Sequence, residues 1–557
     1  MGFKLGILKI NYLSNLAASL CLLGLQACSG GGSSDTSTST GCTLGNGANV
    51  AVSGNVTFDR VPLLSTGQLD FDNILKQEPV RGAVVEAICN GTLVTTNTDE
   101  SGHYSLLIPG NTSGVFIRVK AQMLKTGSPS WNVSVSDEAQ PVVKLIFAMD
   151  GSVFDAGALD LTRNLHADSG WDGSNYSSVR VAAPFAILDT IYDAMQLVLV
   201  ENTTAQFPAL DVKWSSNSTT GTFYTSNTIS VLGRVTDTDE FDEHVIAHEW
   251  GHYYQDAFSR DDSIGGSHST GDILDIRVAF SEGFGNAFSA MVTDDVIYKD
   301  SSGLNNGFTI NIESNVCNFI IRDSNGIDNG VDESGWFSEC SVQSALYDFY
   351  DDTNEGVDVL SLGFSGIHAV MTANIPDTDA VTSLFSFITQ YKVLNAGSAA
   401  NIDSLLLNNH SINIITDDEG TGQLLNPGDT NQLPIYATTF PVTSLCVTGE
   451  NGGYNGLGVT RFVKFTVPDS RSYTFTAVKL TGGLAVTDPD MIIRFKGQII
   501  GLGESEADNR ETFSAVLLSG VEYVLELSEF DTYGNPLSIY TPTGSASDTT
   551  CFSITRT

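Results

Sequence analysis

Three residues near the middle of the chain combine two metal-binding side chains with a carboxylate. His248 and His252 stand four positions apart, and Glu249 lies between them in the run His-Glu-Trp-Gly-His. On an α-helix, residues four apart project from nearly the same face, so both imidazoles can bind one ion. Imidazole is a common ligand of Zn²⁺, and a nearby carboxylate can accept a proton from a water that the ion activates. The spacing therefore predicts a zinc-dependent hydrolytic site with Glu249 as the general base.

The sequence around the motif predicts the helix that the two histidines need. Apolar residues recur through the motif, and acidic residues crowd its start, where the positive end of a helix dipole favours negative charge. These acidic residues are Asp239, Glu240, Asp242 and Glu243. Gly251 inside the helix costs about 1 kcal/mol relative to alanine. We therefore expect another segment to pass close to Gly251.

A catalytic zinc site usually has three protein ligands and one open position, so the motif needs a partner. The loop after the motif offers His268, Asp272 and Asp275, although no regular structure is predicted to hold them. A helix predicted near 279–293 offers Glu282, which stands 30 residues after His252. That separation is long enough for a loop and a returning helix.

The order of these segments resembles the gluzincin group of zinc peptidases, to which thermolysin belongs. Residues 224–232 predict a strand just before the motif helix, and in that group a strand stands at this place. The resemblance covers about 160–425 and is strongest over 224–292. It implies that Glu282 is the third zinc ligand. In that group an acid four residues later orients the first histidine, and here Asn286 stands at that position. The resemblance therefore implies that Asn286 orients His248 through its amide oxygen, with a less basic ligand as the result.

Residues beside the motif exclude one arrangement and suggest two supporting roles. The metzincin pattern requires glycine and histidine where Gln255 and Phe258 stand. Asp256 follows His252 by one helical turn, and its short side chain is expected to buttress a ligand rather than reach the ion. A tyrosine such as Tyr347 could donate a hydrogen bond to an oxyanion, but packing in a core is the simpler interpretation.

The first residues have the composition of an export signal. Two lysines precede the short apolar run Leu13–Leu25, which ends in Leu-Gln-Ala-Cys28. This end resembles the lipobox of bacterial lipoproteins, which implies a signal peptide at 1–27 and a lipidated Cys28; an ordinary secretory signal is the alternative. Residues 28–45 predict a flexible tether. Because Ser29 follows the cysteine, the resemblance implies an outer-membrane lipoprotein of the bacterial cell envelope, either periplasmic or surface-exposed.

The charge of the chain limits its partners. The formal net charge is −39, with only 26 lysine and arginine residues. Binding of nucleic-acid phosphates depends on these basic residues, so nucleic acid is not an expected partner. The expected partners are a protein or peptide substrate and a membrane reached through the lipid anchor.

Cysteine usage is typical of an oxidising compartment. Apart from Cys21 and Cys28, six cysteines are widely spaced, and six cysteines allow 15 pairings. The locally simplest scheme pairs residues 42 with 89, 317 with 340 and 446 with 551. The candidates are Cys42, Cys89, Cys317, Cys340, Cys446 and Cys551.

Patterns along the mature chain predict a multidomain protein in which an α+β zincin-like catalytic domain is flanked by two all-β sandwich domains. Alternating runs at 46–158 resemble the carboxypeptidase regulatory-like sandwich, and helical patterns follow at 159–430. Alternating runs return at 431–557, where an Asp-Pro-Asp turn at 488–490 resembles the prepeptidase C-terminal-like sandwich of secreted peptidases. Such a sandwich is expected to associate with surfaces or substrates.

Taken together, the sequence predicts an exported, membrane-anchored zinc metalloendopeptidase. The alternative is a non-catalytic surface adhesin or binding protein with a degenerate peptidase domain. Zn²⁺ is the expected cofactor. A second ion, Ca²⁺, is a candidate ligand of the acidic, glycine-rich stretch 323–333, although that stretch lacks the spacing of an EF-hand and also fits an acidic surface turn.

Overall fold

A computed structural model of the chain describes residues 41–557 apart from 141, 316–333, 354–355, 424–434, 438, 450, 452 and 531–548. Several predictions concern residues outside this set. They are the signal peptide with Cys28, the pairing of Cys317, and the candidate Ca²⁺ stretch.

Strands dominate the first third of the described chain because buried and exposed residues alternate with a period of two. In the first strand, for example, Val50, Val52 and Val56 are buried while Asn49 and Asn55 are exposed. The strands are β1 (Asn49–Arg60), β2 (Leu75–Pro79), β3 (Ala83–Ile88), β4 (Thr92–Asn97), β5 (His103–Pro109), β6 (Phe116–Lys125), β7 (Trp131–Asp137), β8 (Ala148–Asp150), β9 (Leu161–Thr162) and β10 (Leu165–Ala167).

One sheet crosses the domain boundary that the sequence predicts at residue 158. Three later strands, β11 (Leu210–Trp214), β12 (Phe223–Thr225) and β13 (Thr228–Val231), join it in the order β12-β13-β11-β7-β6-β3-β4. β11 runs parallel to β7, and a parallel pair needs a crossover, which helix α1 (Ala183–Glu201) supplies by packing on β6 and β7. One hydrophobic core also spans both sides of residue 158. The N-terminal strands are therefore not a self-contained sandwich.

The stretch 224–232, which reads as one strand in the sequence, is a hairpin. Tyr224 pairs with Ile229 and Thr225 pairs with Thr228 in an antiparallel ladder. Ser226 and Asn227 form the turn, with φ values of 46° and 60°. Two-residue hairpin turns with both φ values positive match the twist of the strands they join. As a result β12 is a short strand at the edge of the sheet, next to the motif helix.

Helices and small strands make up the middle of the chain. The strands are β14 (Gly233–Arg234), β15 (Asp237–Thr238), β16 (Ile297–Ser301) and β17 (Gly307–Asn311), and the helices after α1 are α2 (Glu243–Phe258), α3 (Ile276–Thr293), α4 (Glu339–Tyr350), α5 (Gly363–Ala373), α6 (Leu384–Leu394) and α7 (Ala399–His410). α3 packs against both α2 and α4. By length and composition α1 could cross a membrane, but 67% of its most apolar window is buried inside the protein, as in a core helix.

The last part of the chain is a β-sandwich with its own core. Its strands are β18 (Ile435–Ala437), β19 (Val442–Thr448), β20 (Arg461–Thr466), β21 (Arg471–Gly482), β22 (Pro489–Phe495), β23 (Gln498–Gly503), β24 (Arg510–Leu517), β25 (Glu522–Glu529) and β26 (Thr549–Arg556). The sheets β18-β20-β25-β22-β23 and β19-β26-β21-β24 enclose apolar residues such as Phe465, Phe475 and Phe552. The sequence prediction of several β-sheet bodies ending in a C-terminal sandwich is confirmed.

Disulfides join Cys42 to Cys89 and Cys446 to Cys551. Both pairs are those that the sequence favours. The second lies directly across the ladder between β19 and β26, so it ties together two strands that are 105 residues apart in the chain.

Arg277 fixes the C-terminal sandwich to the helices. It stands in the first turn of α3, is 1% exposed, and forms ion pairs with Asp275 at 2.9 Å and Glu526 of β25 at 3.0 Å. Its guanidinium also lies 4.8 Å from the ring centroid of Phe462. Asp275 in turn caps α3, since its carboxylate accepts from the amide of Arg277 at 3.0 Å. A buried arginine with two carboxylate partners requires the sandwich to remain in contact with α3.

Candidate metal centre

Two glycines allow α2 and α3 to pass close together at the motif. A β-carbon on Gly251 would lie 3.2 Å from the α-carbon of Gly285, and one on Gly285 would lie 2.9 Å from ring atoms of His248. Gly251 therefore has the close neighbour that its position in a helix predicts. The short distance between the helix backbones lets side chains of α3 reach the histidines of α2.

Three potential ligand atoms converge between these helices. The Nε2 atoms of His248 and His252 are 3.1 Å apart, and Oε2 of Glu282 lies 3.3 Å and 3.5 Å from them. Ligands about 2.0–2.1 Å from a tetrahedral Zn²⁺ lie roughly 3.4 Å from one another. The three atoms thus have the spacing of one face of a zinc coordination tetrahedron.

The other ring nitrogen of each histidine faces an oxygen. Nδ1 of His248 lies 2.8 Å from Oδ1 of Asn286, and Nδ1 of His252 lies 3.2 Å from both Oε1 of Gln255 and Oγ of Ser281. These oxygens favour a proton on each Nδ1, which leaves the lone pair of each Nε2 directed at the shared centre. The donor set therefore fits a bound divalent cation.

Sequence reasoning missed the groups that orient His252. Ser281 stands next to the candidate ligand Glu282, and its hydroxyl donates to Asp261 at 2.8 Å. It therefore accepts from Nδ1 of His252, as fully buried Gln255 can. Gln255 follows His252 by three residues on the same helix, so helical spacing offered a signal for it. Asp261 lies in a loop and had no such signal.

Asp256 does not buttress a ligand, in contrast to the sequence prediction. It is exposed, and its carboxylate accepts a hydrogen bond from the hydroxyl of Tyr224 at 2.5 Å. The reason is helical geometry: four residues beyond His252, the short side chain points to the edge strand β12 rather than to the metal centre.

The charges at the centre are arranged for a cation. Burial lowers the pKa of His252, but the carboxylates of Glu282, Glu249 and Asp261 outweigh it and raise the pKa to about 10. Burial also opposes ionisation of Glu282, yet the facing His252 and His248 hold its pKa well below the usual value. A positive ion among these groups would replace the proton that they share.

Glu249 lies beside the ligands and is 8% exposed. It follows His248 on α2. Burial is the main cause that raises the pKa of Tyr298, and the charges of Asp300 and Glu249 add to it. The ring centroid of Tyr298 lies 6.5 Å from that of His248. Among the residues that the structure describes, none donates a hydrogen bond to its carboxylate. Both oxygens are thus available to accept a proton.

Of the loop candidates for the third ligand, only His268 lies near the metal centre among the described residues. Asp272 accepts from the amide of Ser269 at 2.8 Å, and Asp275 caps α3, so neither reaches the histidines. His268 does lie near the centre: its Nε2 is 3.6 Å from Oε2 of Glu282 and 3.5 Å from Oε2 of Glu339. Burial lowers the pKa of His268, but these two carboxylates raise it to about 9.

Three further carboxylates are clustered at the start of α2. Asp239, Asp242 and Asp300 bring oxygen atoms within 4.8 Å of one another, and both oxygens of Asp242 accept from Ser301, at 2.7 Å and 3.1 Å. Burial raises the pKa of Asp242 well above its usual value and, together with the charge of Asp237, raises the pKa of Asp300 to about 7. These acids therefore cost stability when ionised.

Residues 199–401 match a family model described as the Mycolysin C-terminal domain. The matched segment includes α2 and α3 with all three candidate ligands, and the match indicates a relationship to peptidases. No curated protein matches the chain.

Solved structures that match in part share little sequence with it. The pre-peptidase C-terminal domain of a collagenase from Bacillus anthracis is 12% identical, with 24% of this chain and 99% of that chain covered and a TM-score of 0.14. The surface-associated copper-binding protein CorA of Methylomicrobium album BG8 is 7% identical over 22% and 96%, with a TM-score of 0.15. The periplasmic g-type lysozyme inhibitor PliG of Aeromonas hydrophila is 11% identical over 22% and 96%, with a TM-score of 0.14.

Proposed function

We propose that the protein is a zinc-dependent metalloendopeptidase. The observation that carries the proposal is the convergence of His248, His252 and Glu282, whose ligand atoms lie 3.1–3.5 Å apart. Nearby oxygens bind the opposite ring nitrogens, and the carboxylate of Glu249, which accepts no hydrogen bond from the described residues, lies beside the candidate ligands. The match of this segment to a peptidase domain supports the same conclusion.

When bound, Zn²⁺ supplies a Lewis acid that activates water and polarises a carbonyl group. Glu249 accepts one proton from water while the oxygen of that water bonds to the scissile carbonyl carbon. The π electrons of the carbonyl group move to the carbonyl oxygen. The electrons return as the C–N bond breaks, and Glu249 gives its proton to the leaving amine. These steps give a carboxylic acid and an amine, and transfer of the acid proton to the amine then leaves a carboxylate and an ammonium group.

We also propose a zincin-like catalytic fold, built from the sheet edge β12 together with α2 and α3. A lipid on Cys28 would anchor the exported protein to the bacterial outer membrane, where its substrates would be proteins or peptides. Ca²⁺ at 323–333 remains a secondary proposal.

The test is metal content measured together with peptide-bond cleavage. The full mature chain is expected to hold one equivalent of zinc and to cleave casein, to lose cleavage when a chelator removes the metal, and to regain it when zinc is added back. A protein that binds zinc stoichiometrically but cleaves no member of a broad peptide library would contradict the enzymatic proposal and favour a binding protein.

A further inference from the structure

The segment 259–275 connects α2 to α3 and brings His268 to the rim of the metal centre. Nδ1 of His268 lies 3.1 Å from the carbonyl oxygen of Gly266, which fixes the ring. Nε2 points to Oε2 of Glu282 and of Glu339 at 3.6 Å and 3.5 Å. Both distances exceed a normal hydrogen bond of 2.7–3.2 Å, so neither carboxylate saturates the Nε2 donor.

Glu339 supplies the second carboxylate that faces this ring. It is the first residue of α4 and is 2% exposed. Within the described chain its Oε1 is buried without a hydrogen-bond partner. Leaving a carboxylate oxygen unsatisfied is costly, and the helix N-terminus offsets part of that cost. The group is therefore placed where its negative charge attracts His268.

The C-terminal sandwich holds the same segment from outside. Between β19 and β20, the side-chain amide of Asn455 donates to the carbonyl of Ser267 at 3.0 Å, and its main-chain oxygen accepts from the amide of Asp275 at 2.8 Å. The amide of Leu457 donates to Ile273 at 2.9 Å. The sandwich thus binds the connecting segment at the residue next to His268 and again before α3.

A glycine permits this contact. Gly266 has a φ of 100°, and a β-carbon there would lie 3.2 Å from Nδ2 of Asn455. Its carbonyl is also the acceptor that faces Nδ1 of His268. Gly266 therefore makes room for Asn455, and its carbonyl oxygen orients His268. This residue connects the sandwich to the metal centre.

We propose that His268 is a catalytic residue that donates a hydrogen bond from Nε2 to the scissile carbonyl oxygen as that oxygen becomes negative, and that Asn455 is the residue of the C-terminal sandwich that positions it. This inference rests on the proposed function. Both ring nitrogens of His268 face oxygen acceptors and therefore both carry a proton; His268 forms no covalent bond in this step and keeps both protons. A donor fixed before the reaction acts on charge that develops only in the transition state, so its effect falls on kcat.

Through Asn455 and His268 the C-terminal sandwich has a second role. The sequence predicts a module for surface or substrate association. Asn455 and Leu457 instead bind the sandwich to the segment that carries His268. The sandwich thereby becomes part of the catalytic unit.

The experiment compares zinc-loaded full-length variants. His268→Ala is expected to keep its zinc and to lower kcat by roughly 10²–10³-fold, the usual effect of removing one oxyanion donor. Asn455→Ala is expected to lower kcat by roughly 10–100-fold, as loss of an orienting partner does. Because Asn455 acts through His268, the double variant should be no slower than His268→Ala alone.

Asn509→Gly is the matched control. Among the described residues, its side-chain oxygen accepts only from Thr487 in the sandwich, and glycine tolerates its φ of 61°. This variant should keep wild-type kcat. A second readout does not depend on activity: amide hydrogen exchange over 259–275 should accelerate in Asn455→Ala and not in Asn509→Gly.

The outcomes separate the two proposals. Active wild-type enzyme with an equally active His268→Ala variant would overturn the role of His268. Additive losses in the double variant, or unchanged exchange over 259–275, would overturn the role of Asn455. A zinc-loaded wild-type protein without peptidase activity would overturn the proposed function, and this inference with it.

Discussion

Gly285 on α3 lies directly against the imidazole of His248 on α2, so that a β-carbon at Gly285 would sit 2.9 Å from the ring. The separation of the two helices is thus set by a residue without a side chain, one turn after Glu282. A metal centre built from two helices depends on this separation, because its ligand distances tolerate little change.

Gly285→Ala is expected to weaken zinc binding. The added methyl group must push away the ring of His248 or the backbone of α2, and overpacking of this kind costs roughly 1–3 kcal/mol. Competition with a chelating dye would measure the loss. Gly397→Ala is the control, since a β-carbon there meets nothing within 4 Å. Equal zinc affinity in both variants would argue against a fixed helix separation.

Glu249→Gln is expected to retain zinc and lose most turnover. The amide keeps the size of the side chain but cannot accept the proton from water, and general-base catalysis contributes about 10²–10⁴-fold. Zinc content and peptide cleavage would be measured on the same preparation. Near-normal activity of this variant would assign the base to another residue.

Glu282→Ala is expected to lose zinc and activity together, because two histidines alone leave the centre short of a ligand. Asp272→Ala is the comparison variant, since within the described part of the chain the carboxylate of Asp272 accepts only from the amide of Ser269. Metal analysis after dialysis against a weak chelator would distinguish them. Full zinc occupancy in Glu282→Ala would move the third ligand elsewhere.

Asn286→Leu is expected to lower zinc affinity by roughly 10–100-fold, since His248 would lose the oxygen that orients it. Asn286→Asp should bind zinc at least as well as wild type, because a carboxylate accepts the same proton more strongly. Asp256→Asn, on the face toward Tyr224, should leave affinity unchanged. An unaltered affinity in Asn286→Leu would show that α2 alone orients the ring.

Asp300→Asn is expected to stabilise the protein at high pH. The folded pKa is about 7, above the ordinary value of 3.8, so wild type loses stability relative to the variant as pH rises from 4 to 7. The difference should reach up to about 4 kcal/mol by pH 8 and vanish below pH 4. Thermal unfolding in chelator at both ends of this range would measure it, with exposed Asp508→Asn as the control. A gain that does not vary with pH would contradict the expectation.

The sequence predicts those residues of the metal centre that are related to one another by helical spacing. Glu282 and Asn286 occupy one face of a helix, as His248 and His252 do, and periodicity of this kind is local information. The structure brings these four side chains together. The positions of His268 and Glu339 depend on how a loop and a distant helix pack. No local sequence pattern predicts this packing.

The sheet was mispredicted for a related reason. Strand β11 reads as belonging to the helical region, and nothing in its alternation shows that it pairs with β7, about 80 residues earlier. The hairpin at Ser226 and Asn227 was missed because that pair lacks the glycine of the most frequent two-residue turns. Strand existence is encoded locally, whereas the choice of partner is not.

The pairing of β7 with β11 has a consequence for maturation of the protein. Many exported peptidases shed an N-terminal pro-segment, but here removal of the residues before 158 would take β7 out of the middle of a sheet and expose the edge of β11. A cut in the connection between β8 and α1 would leave a nicked protein whose two pieces stay joined by a strand ladder. The N-terminal strands are therefore expected to stay with the folded protein.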